Sequence, residues 1–348
     1  LIPLHKAGVD VPGWPSPPIT PGWHNLFSSL ERQDAQWFLR IADTGYARSD
    51  GSAAFFPLYP LLVKLASVCT GGRRLLAATV VSNASFLGAL VVLYALTTSE
   101  FSEGTARTAV LLVAIFPTSF FFLAPYSEST FLLLAVTAFW CARRDRWALA
   151  ALAAALAAMT RSVGIVLAPA LLVEAVQQHR ERGVPLLPRA AAAAATVGGP
   201  LAYFAYWQIR FGDLMAPFDA QRQWQRVATF PITTLSDAVV TAYRFRSVWL
   251  IDLVVVGVIV LGATVGLFRM RPGYSVYTWA GLLIPLSYPF PDRPLLSVPR
   301  FVTVLFPAFW VLADLAERRR IPRTVLVASF AAGLSLLTVL FINWYDIF

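Results

Sequence analysis

Three ionisable side chains stand where chemistry is one reading of their type and surroundings. Asp34 lies in Glu31-Arg32-Gln33-Asp34-Ala35-Gln36-Trp37-Phe38, Glu128 follows Tyr126 and Ser127, and Arg161 interrupts a long apolar stretch. Carboxylates accept protons from reacting groups, and arginine forks match phosphate oxygens bidentately. Ionisable groups at membrane depth are costly and face a cavity or a partner. Each residue also has a plainer reading. Asp34 could cap its helix, Glu128 could complement a helix dipole, and Arg161 could snorkel to headgroups or pair with Glu128. Spacing alone leaves both readings open.

The surrounding chain decides the solvent. Of its 348 residues 57% are hydrophobic and only 14% charged, with a mean hydropathy of +0.64. Soluble domains average about 45–50% and 25%, so a water-soluble globule is excluded and the reading is an all-α polytopic membrane protein. The net charge of +9 comes almost wholly from arginine, Lys6 and Lys64 being the only lysines. In a chain this apolar, that excess points to anionic headgroups or a phosphorylated substrate and away from nucleic acid. Cys69 and Cys141 both lie in apolar stretches and suggest no disulfide framework. His5 and His24 are far from His179, so no metal-ligand spacing appears; no obligatory metal or other cofactor is expected.

The elements that must position these residues follow from apolar runs. Residues 1–54 are polar and turn-rich, with an amphipathic stretch over 34–42 that places Trp37, Phe38 and Ile41 on one face and is expected on a membrane surface. The 55–70 stretch is interrupted by Pro57, Pro60 and Lys64 and is too short to cross, so it reads as membrane-parallel or re-entrant. Ten spans are then expected, at about 75–97, 108–124, 127–142, 147–161, 163–176, 190–210, 248–268, 274–290, 301–316 and 323–344, with a break at Thr160-Arg161-Ser162-Val163-Gly164. Compact arginine-bearing turns at 143–146, 179–189, 269–271 and 317–320 alternate onto one face, which is then cytoplasmic. If 55–70 does not cross, residues 1–54, the 125–128 turn, Arg161, the 212–247 loop and the 291–300 turn share the opposite face. The domain reading is accordingly an outer first loop over 1–74, an N-terminal membrane module over 75–210, an outer loop over 211–247 and C-terminal membrane helices over 248–348. The tryptophans at 37, 207, 224 and 249 read mainly as interfacial anchors.

Five ordered blocks carry a resemblance: Asp34-Ala-Gln-Trp-Phe-Leu-Arg-Ile-Ala-Asp-Thr-Gly-Tyr46, Ala54-Phe-Phe-Pro-Leu-Tyr-Pro60, Ser82-Asn83, Pro125-Tyr-Ser-Glu-Ser-Thr-Phe131 and Thr160-Arg-Ser-Val-Gly-Ile165. In that order they resemble the PIG-V-like family, which includes the second mannosyltransferase of GPI assembly and its prokaryotic relatives. The second half matches more loosely, through Ser297-Val-Pro-Arg-Phe301. The resemblance implies the GT-C glycosyltransferase architecture and an inverting transfer of mannose from a polyprenyl-phosphate donor at the outer face. It also implies a catalytic carboxylate on the first outer loop. Two departures stand out: Gln33 occupies a place where family members often carry an aromatic, and the span that normally precedes the first loop is absent, so eleven spans are expected for a full-length relative beginning before Leu1.

On that resemblance Asp34 is the expected base. Arg161 and Arg300 are the expected phosphate ligands, with Arg222 and Arg226 behind them. Glu128 is expected to orient sugar hydroxyls or Arg161, and Tyr126, His24 and Asp43 are lesser candidates at the sugar or acceptor. One base suffices for a single displacement. The expected partners are the bilayer, polyprenyl-phosphate-mannose and an unidentified glycan, lipid or protein acceptor; the expected location is a prokaryotic plasma membrane. Rival readings are the same fold with another sugar, such as arabinose or glucose, a lipid-linked sugar flippase, and a structural subunit. Transporters often show inverted repeats and paired broken helices, and neither is evident in this sequence.

Overall fold

The computed structural model describes residues 29–48, 50–222, 227–245, 249–290, 292–343 and 345, and all regular structure among them is helical. The first helix, α1 (Asp34–Thr44), is entered through Gln33 at φ +47°, a left-handed backbone uncommon for a residue with a side chain. Gln33 therefore takes the cap position, and Asp34 is the first helical residue, at the positive end of the helix dipole. The capping role considered for Asp34 does not hold.

Within the protein this stretch is enclosed on every side and not on one face alone. Residues 35–42 are buried without interruption. The polar members are satisfied inside the protein, which is what permits burial on every side: the Gln36 amide donates to the Glu31 carbonyl at 3.3 Å, and Arg40 pairs with Asp50. Trp37 stacks on Phe55 with centroids 5.3 Å apart, and Phe38 meets Phe55 and Tyr59 edge-on. These rings dock α1 against α2 (Leu58–Cys69) and the start of α3 (Arg74–Glu100). At 12 residues α2 rises about 18 Å, short of the roughly 30 Å hydrocarbon core. Tyr59 and Val63 face inward, while Leu61, Leu65 and Val68 are exposed.

Beyond α3 come α4 (Glu103–Ile115), α5 (Glu128–Arg143) and α6 (Trp147–Ala158), then α7 (Leu167–Arg182), α8 (Leu186–Ala194) and α9 (Gly198–Phe211). The second half holds α10 (Ala216–Arg222), α11 (Pro231–Phe245), α12 (Trp249–Gly266), α13 (Pro272–Leu286), α14 (Val298–Val302), α15 (Phe306–Glu317) and α16 (Arg323–Ile342). Ser102 caps α4 by accepting from the Thr105 N–H at 3.2 Å. One apolar core runs from Phe86 and Leu93 on α3, through Phe139 on α5 and Ile259 on α12, to Phe306 and Trp310 on α15, so the two halves of the chain share it.

Among the described residues four helical stretches are long and apolar enough to cross a membrane: Arg74–Glu100, Ser162–Arg182, Trp249–Gly266 and Arg323–Ile342. They coincide with four of the ten expected spans. Elsewhere the apolar runs are broken into shorter helices. The 108–124 run ends α4 before Pro117 and continues as a 3-10 turn, Ser119–Phe122, while 301–316 holds the 12-residue α15. Proline and single 3-10 turns cut helix length without lowering hydropathy, so these apolar runs hold shorter helices. The break expected near Arg161 does occur: α6 stops at Ala158, and a 3-10 turn, Ser162–Val166, leads into α7. Gly164 makes that turn possible, since a Cβ there would collide with the Ala158 and Ala157 backbone. Gly164→Ala is expected to destabilise the protein by about 1–3 kcal/mol through overpacking, read as a lowered thermal midpoint in detergent.

Candidate active site

Four charged side chains from four separate segments meet at one end of the bundle. Asp34 comes from the first turn of α1, Glu128 from the first turn of α5, Arg161 from the extended residue between α6 and α7, and Arg300 from α14. Arg300 Nη2 lies 2.7 Å from Asp34 Oδ2, and its Nε lies 3.1 Å from Glu128 Oε1. Arg161 pairs with the same Glu128 oxygen and reaches the Ser127 hydroxyl at 3.4 Å. The cluster is thus two guanidinium groups and two carboxylates, with Glu128 shared between the arginines. Glu128 is 1% exposed, whereas Asp34 keeps 23% of its side chain open. Among the described residues neither Glu128 oxygen nor Arg300 Nε has a partner of hydrogen-bond geometry, so Arg300 and Glu128 meet at ion-pair distance without alignment.

The surroundings fix these positions. The Arg300 guanidinium lies 5.4 Å from the Tyr126 ring centroid, 5.6 Å from Phe121 and 5.0 Å from Phe301, within cation–π range. Burial by itself lowers the proton affinity of Arg300. The Asp34 and Glu128 carboxylates outweigh that effect and hold it above the ordinary arginine value, so it stays charged. The Thr118 hydroxyl donates to the Pro299 carbonyl at 3.0 Å and lies 2.6 Å from the Thr303 hydroxyl, which ties α14 to the α4–α5 connection. The Arg161 backbone is held from two sides: its carbonyl accepts from the Gly164 N–H at 2.9 Å, and the neighbouring Met159 carbonyl accepts from Leu58 at 3.0 Å.

Tyr126 has a different place from the expected one. It is fully buried and its hydroxyl donates to the Arg32 carbonyl at 2.8 Å, so it cannot present that hydroxyl to a sugar. Burial and the nearby Asp34 charge push its ionisation well above the usual tyrosine range, leaving it a donor. Glu128 is ion-paired with both Arg161 and Arg300. Asp43 sits at the far end of α1, about 13 Å of helix from Asp34, and pairs with Arg74 at 3.2 Å near the surface; the structure does not bring it to the cluster. His24 and Arg226 lie outside the described residues, as does the side chain of Arg222.

Several contributors were not among the expected site residues, although Tyr59, Ser82 and Asn83 lie in the motif blocks. The Tyr59 and Ser82 hydroxyls are 2.8 Å apart, Ser82 donates to the Tyr126 carbonyl at 3.2 Å, and the Asn83 amide donates to Leu123 at 3.2 Å. This chain links α2 and α3 to the turn that bears Glu128. Arg32 donates to the Phe341 carbonyl and lies over the Phe341 ring, closing α1 against the end of α16. Arg293 grips Asp252 through Nε at 3.0 Å and through Nη2, both residues being buried, and so anchors the segment leading to Arg300 onto α12. An acid inside an apolar run, as Asp252 is, was the available signal. Removing one partner of a buried pair strands the other. Asp252→Ala is therefore expected to destabilise the protein by about 3 kcal/mol, measured by thermal unfolding in detergent.

A second charged network lies at the other end. Arg143 meets Glu100 at 2.5 Å and Glu174 at 3.1 Å, and Arg271 meets Glu174 at 3.1 Å and Glu181 at 3.0 Å. Since Glu128 and Arg143 open and close α5, this network stands about 22 Å from the candidate site. A shallow depression lined by Asp145, Trp147, Pro188 and Arg189 is at that same remote end.

Comparison with solved structures places the fold. ArnT from Cupriavidus metallidurans bound to undecaprenyl phosphate aligns with a TM-score of 0.54 at 17% identity, covering 91% of this chain and 62% of that one. Its apo form aligns with a TM-score of 0.55 at 15% identity, covering 91% and 61%. The chain therefore spans less than two thirds of the length of these solved chains, and at such identity the likeness speaks for the fold: an all-helical GT-C membrane glycosyltransferase architecture. A search of curated protein sequences finds no match. The family model described as "Mannosyltransferase (PIG-V)" matches residues 11–189, the part that carries Asp34, Tyr126, Glu128 and Arg161. That match covers more than half of the 348 residues, and the chain belongs to the PIG-V mannosyltransferase family.

Proposed function

We propose that this protein transfers mannose from a polyprenyl-phosphate donor to a hydroxyl of a lipid-linked or protein acceptor on the extracytoplasmic face of a prokaryotic plasma membrane, inverting the sugar. Family membership and the GT-C fold support a membrane glycosyltransferase with a lipid-linked donor. The observation that carries the finer reading is the 2.7 Å contact of Asp34 with Arg300, which puts a partly open carboxylate beside a buried, permanently charged guanidinium.

In this reading the acceptor oxygen attacks the anomeric carbon while Asp34 takes its proton. The bond between that carbon and the phosphate oxygen breaks, and polyprenyl phosphate leaves with the electron pair. The leaving phosphate is already ionised, so it needs cations and no obligatory acid; Arg300 and Arg161 supply them, spaced by Glu128. One base and one displacement give inversion, in contrast to the close carboxylate pair of a double displacement. Undecaprenyl phosphate bound to the structurally similar ArnT makes a polyprenyl phosphate a reasonable product to place here.

The test supplies the full chain, in proteoliposomes with membrane extract as acceptor source, with polyprenyl phosphates carrying radiolabelled mannose, glucose or arabinose. Mannose incorporation above the other sugars, with opposite anomeric configurations in donor and product, is the expected result. Preference for another sugar overturns the donor assignment. Movement of the donor across the bilayer with no glycosidic bond formed overturns the enzymatic reading.

A further inference from the structure

Arg300 serves two masters in this arrangement. Its Nη2 is engaged by Asp34 at 2.7 Å, while its Nε faces Glu128 at 3.1 Å and its plane is enclosed by the Phe121, Tyr126 and Phe301 rings. Movement of the guanidinium away from this spot is opposed by Glu128 and the rings. Asp34, on the partly open side, is the partner able to give way. Among the described residues the cluster pairs two arginines with two carboxylates, so a phosphate anion that takes Arg300 displaces a carboxylate from it. Glu128, buried and shared by both arginines, is the harder of the two to displace.

We infer that Asp34 and the donor phosphate compete for Arg300, so that donor binding itself releases the Asp34 carboxylate toward the acceptor hydroxyl. This rests on the phosphate-binding reading above and adds an order to it: donor first, acceptor second. In the paired state Arg300 holds Asp34 through Oδ2. Once a phosphate oxygen replaces it, the carboxylate is unpaired next to the site where the acceptor must attack. A protein lacking the donor then keeps its base paired with Arg300, which opposes engagement of the acceptor before the donor is bound. The apparent affinity for the phosphate is correspondingly reduced by the fraction of molecules in the paired state.

The probe is undecaprenyl phosphate, titrated onto the full chain in detergent micelles, with binding followed by native mass spectrometry. Asp34→Asn, which removes the competing charge, is expected to bind it about tenfold more tightly. General repulsion between Asp34 and phosphate would give the same sign, so the measurement is repeated in an Arg300→Gln background, where the gain is expected to vanish. Unchanged or weaker binding by Asp34→Asn overturns the competition, and so does an equal gain in both backgrounds. If the Asn variant does not fold, Asp34→Ser removes the same charge in a smaller side chain. Absence of binding by every form, the parent protein included, overturns the underlying phosphate reading. Retained transfer by Asp34→Asn speaks separately against the base role.

Discussion

Asp34→Asn is expected to lower transfer at saturating donor by about 10²–10⁴-fold, the range for removal of a positioned general base. Asn keeps the size and one hydrogen-bond acceptor of Asp but cannot take the proton of the attacking hydroxyl. The first turn of α1 is otherwise undisturbed, because Gln33 and not Asp34 makes the entry to the helix, and because Ala35 to Ala42 are held by their own packing. Arg300 keeps Glu128 but loses Asp34 as a counter-charge, so the folded variant is expected to unfold at a lower temperature than the parent protein. Single-turnover measurement with labelled donor checks the rate, and full transfer by a folded Asn variant removes Asp34 from the base role.

Arg300→Met is expected to cost about 10²–10³-fold in the rate of transfer, as loss of a preorganised charge stabiliser does, and to lower stability as well. The substitution removes the guanidinium paired with both Asp34 and the buried Glu128 and leaves Glu128 its pair with Arg161. Uncompensated buried charge of this kind is worth about 3–5 kcal/mol. Arg300→Lys distinguishes the two effects. A lysine restores charge without the planar fork that reaches Asp34 and Glu128 at once, so stability should largely return while the KM for donor stays raised. Equal recovery of both would mean that Arg300 acts only as a structural counter-charge.

The residues of the cluster were legible because an apolar chain makes ionisable groups conspicuous. Asp34, Glu128 and Arg161 stand out from their neighbours by type, and the order of the motif blocks ties them to one family. Their topological argument also needed only one premise, that the 55–70 stretch does not cross, and the 12-residue α2 is too short to do so. What sequence did not reveal is which oxygen meets which nitrogen. Nothing in spacing distinguishes Asp34 from Asp43, yet nine residues of helix carry them to opposite ends of α1 and give Asp43 a surface partner in Arg74. Tyr126 looks from sequence like a sugar-facing aromatic; only the fold shows its hydroxyl spent on a backbone carbonyl. Hydropathy is likewise blind to the 3-10 turn at Ser119–Phe122, whereas the break at Arg161 was marked by an arginine and a nearby glycine.

The cluster's parts are spread from residue 34 to residue 300, and the chain is made in that order. When Glu128 and Arg161 have emerged, the ribosome has yet to supply the charge that balances Asp34, and the growing protein carries two acids against one arginine. Arg300 arrives only after most of the helices exist, followed by the Phe341 carbonyl that Arg32 requires. A chain arrested before residue 300 thus holds an incomplete centre whatever the quality of its inserted helices. On the proposed function, transfer is expected only from chains that extend past residue 300, and an activity assay on nascent chains of graded length would show it appearing in one late step.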